Sequence, residues 1–481
     1  MKTLLVYPKT YYRRDVPLSL AYIGAVLKES GHNVRVHDPA PYEKLNLLDT
    51  LKQFEPEVVC FTCNTINMVE TLRMLDIVKE WNPHTKTILG GPHPSSMPGE
   101  TLSYKNVDFI VIGEGEETIK ELVSELEKKN TDFSKIKGIG FKTPKLKFTE
   151  RRPLIENLDS LPFPDRDMFP MKWYTQTSTS IRGQWLSTVT LMTSRGCPYN
   201  CAFCASKSIW GRSFRTHSAG RVIEELEFVL EKYRVDAVKL IDDTFYVDKK
   251  RILQICNEIK NRKLDFVWAA QARTDLQDEE IMKSISESGC IQLAFGVESG
   301  SNKVLKAMNK LNMAENAVPA FKLCKKYGIR TIANFMLGNP EEEIEDVEMT
   351  RRLAHELDAD YVDFYITTPF PGTPLYEQAK KNGWIKKGTD FSKYKIDLEP
   401  IMEINFSMEE IKKIRNALKK EFVGEKVFYF LRNPKFLKDA ALIGLLNPAL
   451  APKIIVKYLK TLNVEDSLRE FERTQRMRRF P

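Results

Sequence analysis

Three cysteines fall within eight residues in the stretch Ser194-Arg195-Gly196-Cys197-Pro198-Tyr199-Asn200-Cys201-Ala202-Phe203-Cys204, and no fourth cysteine stands near them. Thiolate sites usually assemble four ligands, whether around zinc or around an iron-sulfur cluster. A structural zinc site is built from two ligand pairs, and only His217 is near in sequence, so a Cys3His site is one alternative. An electron-carrying cluster would need a fourth thiolate. Three thiolates on a four-iron cluster leave one iron open, and an open metal position is what chemistry on a substrate requires. Pro198 and Asn200 speak against a purely apolar role for the stretch.

The other five of the eight cysteines read differently. Cys60 and Cys63 lie at the end of an apolar run, and Cys256, Cys290 and Cys324 are dispersed. Free cysteine is among the most buried residue types, so all five are expected in cores. The opening "MKTLLVYPKTYYRRD" has a short apolar run before prolines and charges, and no run of ~18 apolar residues occurs anywhere, so neither a signal peptide nor a membrane span is expected. The expected location is the cytoplasm, where eight cysteines in 481 residues mean metal binding or burial rather than disulfides.

Elements must position the three-cysteine stretch, and a hydrophobic fraction of 42% suits folded cores. Up to residue 145, strand patterns at "TLLVYP", "NVRVHD", "EVVCFT", "KTILGG" and "VDFIVIG" alternate with helix patterns such as "LSLAYIGAVLKESG" and "NMVETLRMLDIVKEW". That rhythm means a Rossmann-like, doubly wound parallel sheet, in which ligands bind beyond the carboxyl ends of the strands. Gly90, Gly91, Gly113 and Gly115 stand at those ends, where backbone can approach a cofactor or simply turn. Residues 146–186, rich in proline and aspartate, read as a packed linker.

A second alternating series over 187–402 has six strands, "STVTLMTS", "AVKLIDD", "FVWAAQAR", "IQLAFGVES", "IRTIANFMLG" and "YVDFYITT". Six units suit a partial TIM-type barrel, whose functional groups sit at strand C-termini; the cysteine stretch follows the first strand. From Glu403 on the chain reads as helical, with 17 Lys and Arg against 10 Asp and Glu, which is +7 of the total +8. Aromatic and aliphatic residues interleave with these charges over 425–462, a composition that suits helices lying on an apolar surface.

"CPYNCAFC" resembles the CxxxCxxC signature of the radical S-adenosylmethionine (SAM) enzymes, with further matches at "LIDDTF", "RTD", "FGVESG", "FMLGNPEEE" and "PFPGTPLY". With "PLSLAYIGAVLKESGHNV", "GGPHPS" and "VIGEGEET", the chain looks like the subgroup carrying an N-terminal cobalamin-binding-type domain. The resemblance implies that Cys197, Cys201 and Cys204 hold a 4Fe-4S cluster and that SAM chelates the fourth iron. It implies reductive cleavage of SAM to a 5′-deoxyadenosyl radical, and most often in this subgroup a C-methylation with cobalamin as methyl carrier.

By the same resemblance Phe203 walls the adenine pocket, Asp242 and Asp243 meet the methionyl amine, Glu298 and Ser299 approach SAM, and Gly338 and Pro340 form a turn near adenine. Asp243, Arg273 and Glu298 are the catalytic candidates, each of which a structural ion pair at the barrel mouth would equally explain. Gly90, Gly91, Gly113, Glu114 and Gly115 are the expected cobalamin contacts.

One departure is plain: the cobalt-ligating pattern Asp-x-His-x-x-Gly is absent. His37 precedes Asp38 inside a strand, which leaves His93 as an outside candidate for the lower ligand. The expected partners are a hydrophobic or lipid-like small molecule, an electron donor such as ferredoxin or flavodoxin, and the membrane surface, but not nucleic acid. Two other readings stay open: a radical cyclase, coupling or oxidation enzyme without methyl transfer, and a non-catalytic zinc-binding interaction protein.

Overall fold

The computed structural model describes residues 1–8, 15–40, 45–276 apart from 177 and 179, 278–394 and 400–422, with 437, 438 and 441 beyond. Those three residues apart, the tail helices expected over 425–462 lie outside the described residues, as do the loop residues 41–43. By contacts the chain forms two compact units whose segments alternate along the sequence: the first takes Met1–Pro170, Ser194–His217 and Thr368–Glu403, the second Met171–Thr193, Ser218–Thr367 and the residues from Ile404 on.

The first unit is built on β1 (Lys2–Val6), β2 (Asn33–His37), β3 (Val58–Thr62), β4 (Lys86–Gly90), β5 (Phe109–Val111), β6 (Ile139–Thr143) and β7 (Lys145–Phe148), in the order β2-β1-β3-β4-β5-β6-β7. The first five strands are parallel. Leu4, Val6, Val59, Phe61 and Leu89 are fully or nearly fully buried in one core with Leu51, Leu75 and Val78 from the helices, as near-continuous apolar strands require. The strand order turns round between β1 and β3, which places the ligand crevice of such a sheet outside their carboxyl ends.

The parallel sheet expected here carries an antiparallel edge. β5 pairs antiparallel with β6 and β6 antiparallel with β7. A hairpin turning at Pro144 was hidden because β7, "KLKF", is wholly exposed and carries no buried face to set a pattern. Its lysines suit an edge that must not recruit another strand. The linker stretch is packed, with Leu158, Leu161 and Phe169 buried in the first unit and Trp173, Tyr174 and Trp185 in the second.

The second unit holds β8 (Thr188–Leu191) and, after the short strands β9 (Ser194–Arg195) and β10 (Arg215–Thr216) of the first unit, β11 (Ala237–Leu240), β12 (Val267–Ala272), β13 (Cys290–Glu298), β14 (Arg330–Leu337) and β15 (Tyr361–Ile366). β8 and β11–β15 form one six-stranded sheet in chain order, every pairing parallel, with no pairing recorded between the first and last strands. This is the order a partial (β/α)6 barrel requires, and it brings all six strand C-termini to one rim. Helices between the strands start at side-chain caps: Ser218, Asp248 and Asp278 accept from Arg221, Arg251 and Ile281 backbone N–H groups. Among the described residues no helix is long and apolar enough to cross a membrane.

Candidate active site

The cysteine stretch belongs to the first unit, where it forms a loop closed at its base. β9 and β10 pair antiparallel, Arg195 opposite Arg215 and Ser194 opposite Thr216. Gly196, next in line, has φ +84°, and a methyl group there would overlap the Ser213 carbonyl oxygen; only glycine makes this turn. Cys201 is buried while Cys197 and Cys204 are partly exposed, and the Cys204 N–H donates to the Cys201 carbonyl at 3.2 Å. The Leu375 N–H donates to the Ala202 carbonyl, so the "PFPGTPLY" segment braces the loop.

A buried ionic clamp fixes the loop's entry. The Arg195 guanidinium donates to Glu114 Oε1 at 2.7 Å and to Glu116 Oε1 at 2.6 Å, lies over the rings of Tyr22 and Trp210, and is 2% exposed. Arg215 donates to Glu114 Oε2 at 2.8 Å, and the Ile155 N–H to the same oxygen. Two carboxylates and two guanidiniums balance in charge, the condition under which buried ions can be tolerated. Glu114, expected among the cobalamin contacts, thus turns its carboxylate inward to the arginines.

The remaining cysteines are set apart chemically. Burial pushes the thiols of Cys60, Cys63 and Cys324 up to about 12 and raises those of Cys256 and Cys290 as well, so all five stay protonated and inert. No disulfide joins any of the eight cysteines. Among the described residues no three Cys, His, Asp or Glu side chains converge as on a single ion, and His217 is hydrogen-bonded to Asp159 at 3.1 Å. A four-iron cluster takes each thiolate at a separate iron, and three cysteines on one short loop fit that demand.

At the carboxyl ends of β3, β4 and β5, side chains are kept out. A methyl group on Gly90 would meet Val111 Cβ at 3.8 Å, and one on Gly113 the Ile209 carbonyl oxygen at 3.9 Å, so at both the surroundings leave room for no more than ordinary van der Waals contact. Gly91 differs: a methyl group would press on the Cys63 backbone at 3.0 Å, and Gly115 would press on Ile23 at 3.1 Å. Ser95 ties the two strand ends by accepting from the Gly113 N–H and donating to the Gly91 carbonyl.

His93 is fully buried with both ring nitrogens engaged, Nδ1 by Thr65 Oγ1 at 3.2 Å and Nε2 by Glu100 Oε2 at 3.3 Å, so it is a framework residue and not a candidate metal ligand. His37 sits in the core against Thr50, its pKa lowered by burial to about 4. A glycine-lined strand end lets backbone approach a cofactor closely.

The second unit's rim carries the other predicted residues. Asp242 Oδ1 accepts from the Thr193 N–H and hydroxyl at 3.0 and 2.9 Å, while Arg251 donates to the Thr193 carbonyl at 2.7 Å. Asp242 therefore fixes the residue just before the cysteine stretch, whereas Asp243 is exposed. Arg273 forms a bidentate pair with Asp275 at 2.9 and 2.8 Å and reaches the Leu311 carbonyl at 3.3 Å. Glu298, at φ +69°, receives Lys310 Nζ at 2.7 Å in a buried pair. A left-handed glutamate is strained, and strain of this kind collects at functional sites.

The Ser299 hydroxyl meets Thr350 at 3.2 Å and accepts from the Ser301 N–H. Gly338 turns at φ +79°, its N–H and that of Asn339 donating to the buried Glu342 carboxylate; Pro340 is buried beside them. Burial holds Glu342 up at about 7.

Arg195, Glu116, Thr193, Lys310 and Glu342 are site residues that the sequence did not disclose. Arg195 alone had a signal, two positions before the first cysteine; the others gain meaning only from partners distant in sequence.

The fold and loop define an iron-sulfur enzyme of the partial-barrel class with a separate cofactor-binding sheet. The B12 binding domain family matches residues 11–123, and the radical SAM superfamily matches residues 191–354. An uncharacterised methyltransferase of Pyrococcus horikoshii is 35% identical over 91% of this chain and 94% of its own. The anaerobic magnesium-protoporphyrin IX monomethyl ester cyclase of Rubrivivax gelatinosus is 29% identical over 80% of this chain and 70% of its own.

Among solved structures, the cobalamin-dependent SAM radical enzyme OxsB, with aqua-cobalamin and SAM bound, superposes with a TM-score of 0.72 at 17% identity, covering 100% of this chain and 75% of that one. The chain belongs to the cobalamin-dependent radical SAM methyltransferase family. The cofactors of that family are a 4Fe-4S cluster, SAM and cobalamin.

Proposed function

We propose that the protein methylates an unactivated carbon of a hydrophobic or lipid-like small molecule. The observation that carries the substrate class is the segment Met308–Met313 on the second unit's rim. It is fastened by the Lys310–Glu298 pair, by Arg273 at the Leu311 carbonyl and by Asn312 at Thr274, yet it presents Leu311 and Met313 at 66% and 52% exposure. Large apolar side chains held in water on a braced loop favour an apolar ligand.

When bound, the cluster with SAM supplies a hydrogen-abstracting radical and cobalamin a methyl group. Cys197, Cys201 and Cys204 hold the cluster, with Phe203 beside SAM's adenine. Gly338 and Pro340 shape the turn that backs it, Asp243 offers a carboxylate to the amine, Glu298, held by Lys310, positions the strand end that approaches SAM, and Arg273 orients the rim. Asp242 and Ser299, whose side chains serve Thr193 and Thr350, contribute through the backbone they position. Gly90 and Gly113 admit cobalamin, and Gly91 and Gly115 allow the close packing behind it. A small redox protein of the ferredoxin or flavodoxin type supplies the electron, and the basic, apolar tail brings the enzyme to membrane surfaces.

Anaerobic reconstitution tests the reading. It should give a brown protein with about four irons per chain that cleaves SAM to 5′-deoxyadenosine; a colourless protein holding one zinc would overturn it. S-adenosylhomocysteine and a methylated product, found by mass spectrometry of cell lipids with and without the gene, mark methyl transfer. Their absence alongside 5′-deoxyadenosine would favour the second reading, a radical cyclase, which the cyclase relative supports.

A further inference from the structure

Glu114 and Glu116 alternate with Gly113 and Gly115 at the end of β5, the glycine-lined edge proposed above for cobalamin. Their carboxylates meet in Arg195, two residues ahead of the first cluster cysteine, at 2.7 and 2.6 Å. We infer that this buried clamp couples the cobalamin edge to the cysteine loop, so that filling one site orders the other.

Three observations carry it. First, the clamp is nearly sealed, with side-chain exposure of 1% for Arg195, 2% for Glu114 and 8% for Glu116, so neither salt nor water screens it. Second, the path from clamp to thiol is short and stiff. Arg195 is pinned by β10, by two carboxylates and by two aromatic rings, and Gly196 is locked in a conformation that backs onto the Ser213 carbonyl. A shift of the β5 end therefore moves Cys197 and cannot be absorbed in between.

Third, the choice of residues is costly if its purpose is only packing. Apolar groups of similar volume would hold the loop as well or better, whereas a forked guanidinium serving two carboxylates fixes one register. Any coupling is reciprocal, because an order gained at one site lowers the cost of order at the other by the same factor. The inference rests on cobalamin binding at this sheet edge, as proposed above.

The test uses hydroxocobalamin with the full chain, its Kd measured by equilibrium dialysis before and after the cluster is reconstituted, and the electron paramagnetic resonance spectrum of the reduced cluster recorded with and without hydroxocobalamin. In the wild type, the loaded cluster should tighten hydroxocobalamin binding by about fivefold or more, the lower end of ordinary site coupling, and hydroxocobalamin should alter the cluster spectrum. Arg195→Lys keeps the charge but loses the fork, and Glu116→Gln keeps the shape but loses one ion pair. Each should still bind cobalamin and iron, with the affinity ratio near one and a spectrum insensitive to cobalamin.

A wild-type ratio of one with both cofactors bound, or variants that retain the wild-type ratio, would overturn the coupling while leaving the cofactor reading intact. A wild-type protein that binds no hydroxocobalamin would overturn both.

Discussion

Cysteines of one chain divide into two chemical populations by what surrounds them. Burial is the main cause that raises the five core thiols, while the three of the loop lie on a turn with Cys197 and Cys204 partly exposed. Cys201→Ala should therefore abolish iron retention after reconstitution, whereas Cys256→Ala should leave iron content and absorbance unchanged.

Glu342 makes a second residue-scale prediction. Its carboxyl titrates near 7 in the fold, against an ordinary 4.5 when the chain is unfolded, because burial disfavours its charge. The native state then holds a proton that the unfolded state has released between pH 4.5 and 7. The stability this contributes is complete below pH 4.5 and lost as pH rises through 7, at up to about 1.4 kcal/mol per pH unit. Thermal melts should show Glu342→Gln losing part of the decline in Tm that the wild type shows from pH 5 to 7.5.

At the scale of elements, strand ends and the loops that follow them do the positioning. The rim segment Met308–Met313 depends on Lys310 meeting Glu298 where both side chains are largely shielded from water. Lys310→Met should cost about 3 kcal/mol, since it leaves a buried carboxylate uncompensated, and the double variant Lys310→Met/Glu298→Leu should recover most of that loss in urea unfolding. The base of the cysteine loop depends on Gly196 in the same local way. Gly196→Ala should spoil iron loading while leaving the far-ultraviolet circular dichroism near wild type, because the overlap is with one carbonyl of the loop itself.

Across the whole molecule the chain is shared between two compact units in an interleaved manner, so no single cut separates them. Residues 194–217 and 368–403 complete the unit that residues 1–170 begin. Limited proteolysis should accordingly yield no stable fragment ending between 150 and 190, despite the proline-rich composition there. A persistent N-terminal fragment of that length on a gel would contradict it.

The sequence by itself determined the strand count of the parallel core, the six-strand series and the three-thiol loop. Apolar runs such as "TLLVYP" or "IQLAFGVES" must be buried wherever the chain goes, and a ligand spacing of CxxxCxxC is a local property. Tertiary structure alone decided that Glu114 faces arginines, that Asp242 serves Thr193, that Glu298 is paired with Lys310, and that "KLKF" forms an edge strand. Each of those outcomes is set by which charge or hydrogen-bond partner arrives from elsewhere in the chain. The energy of a buried ion depends on that partner and hardly at all on its own neighbours in sequence.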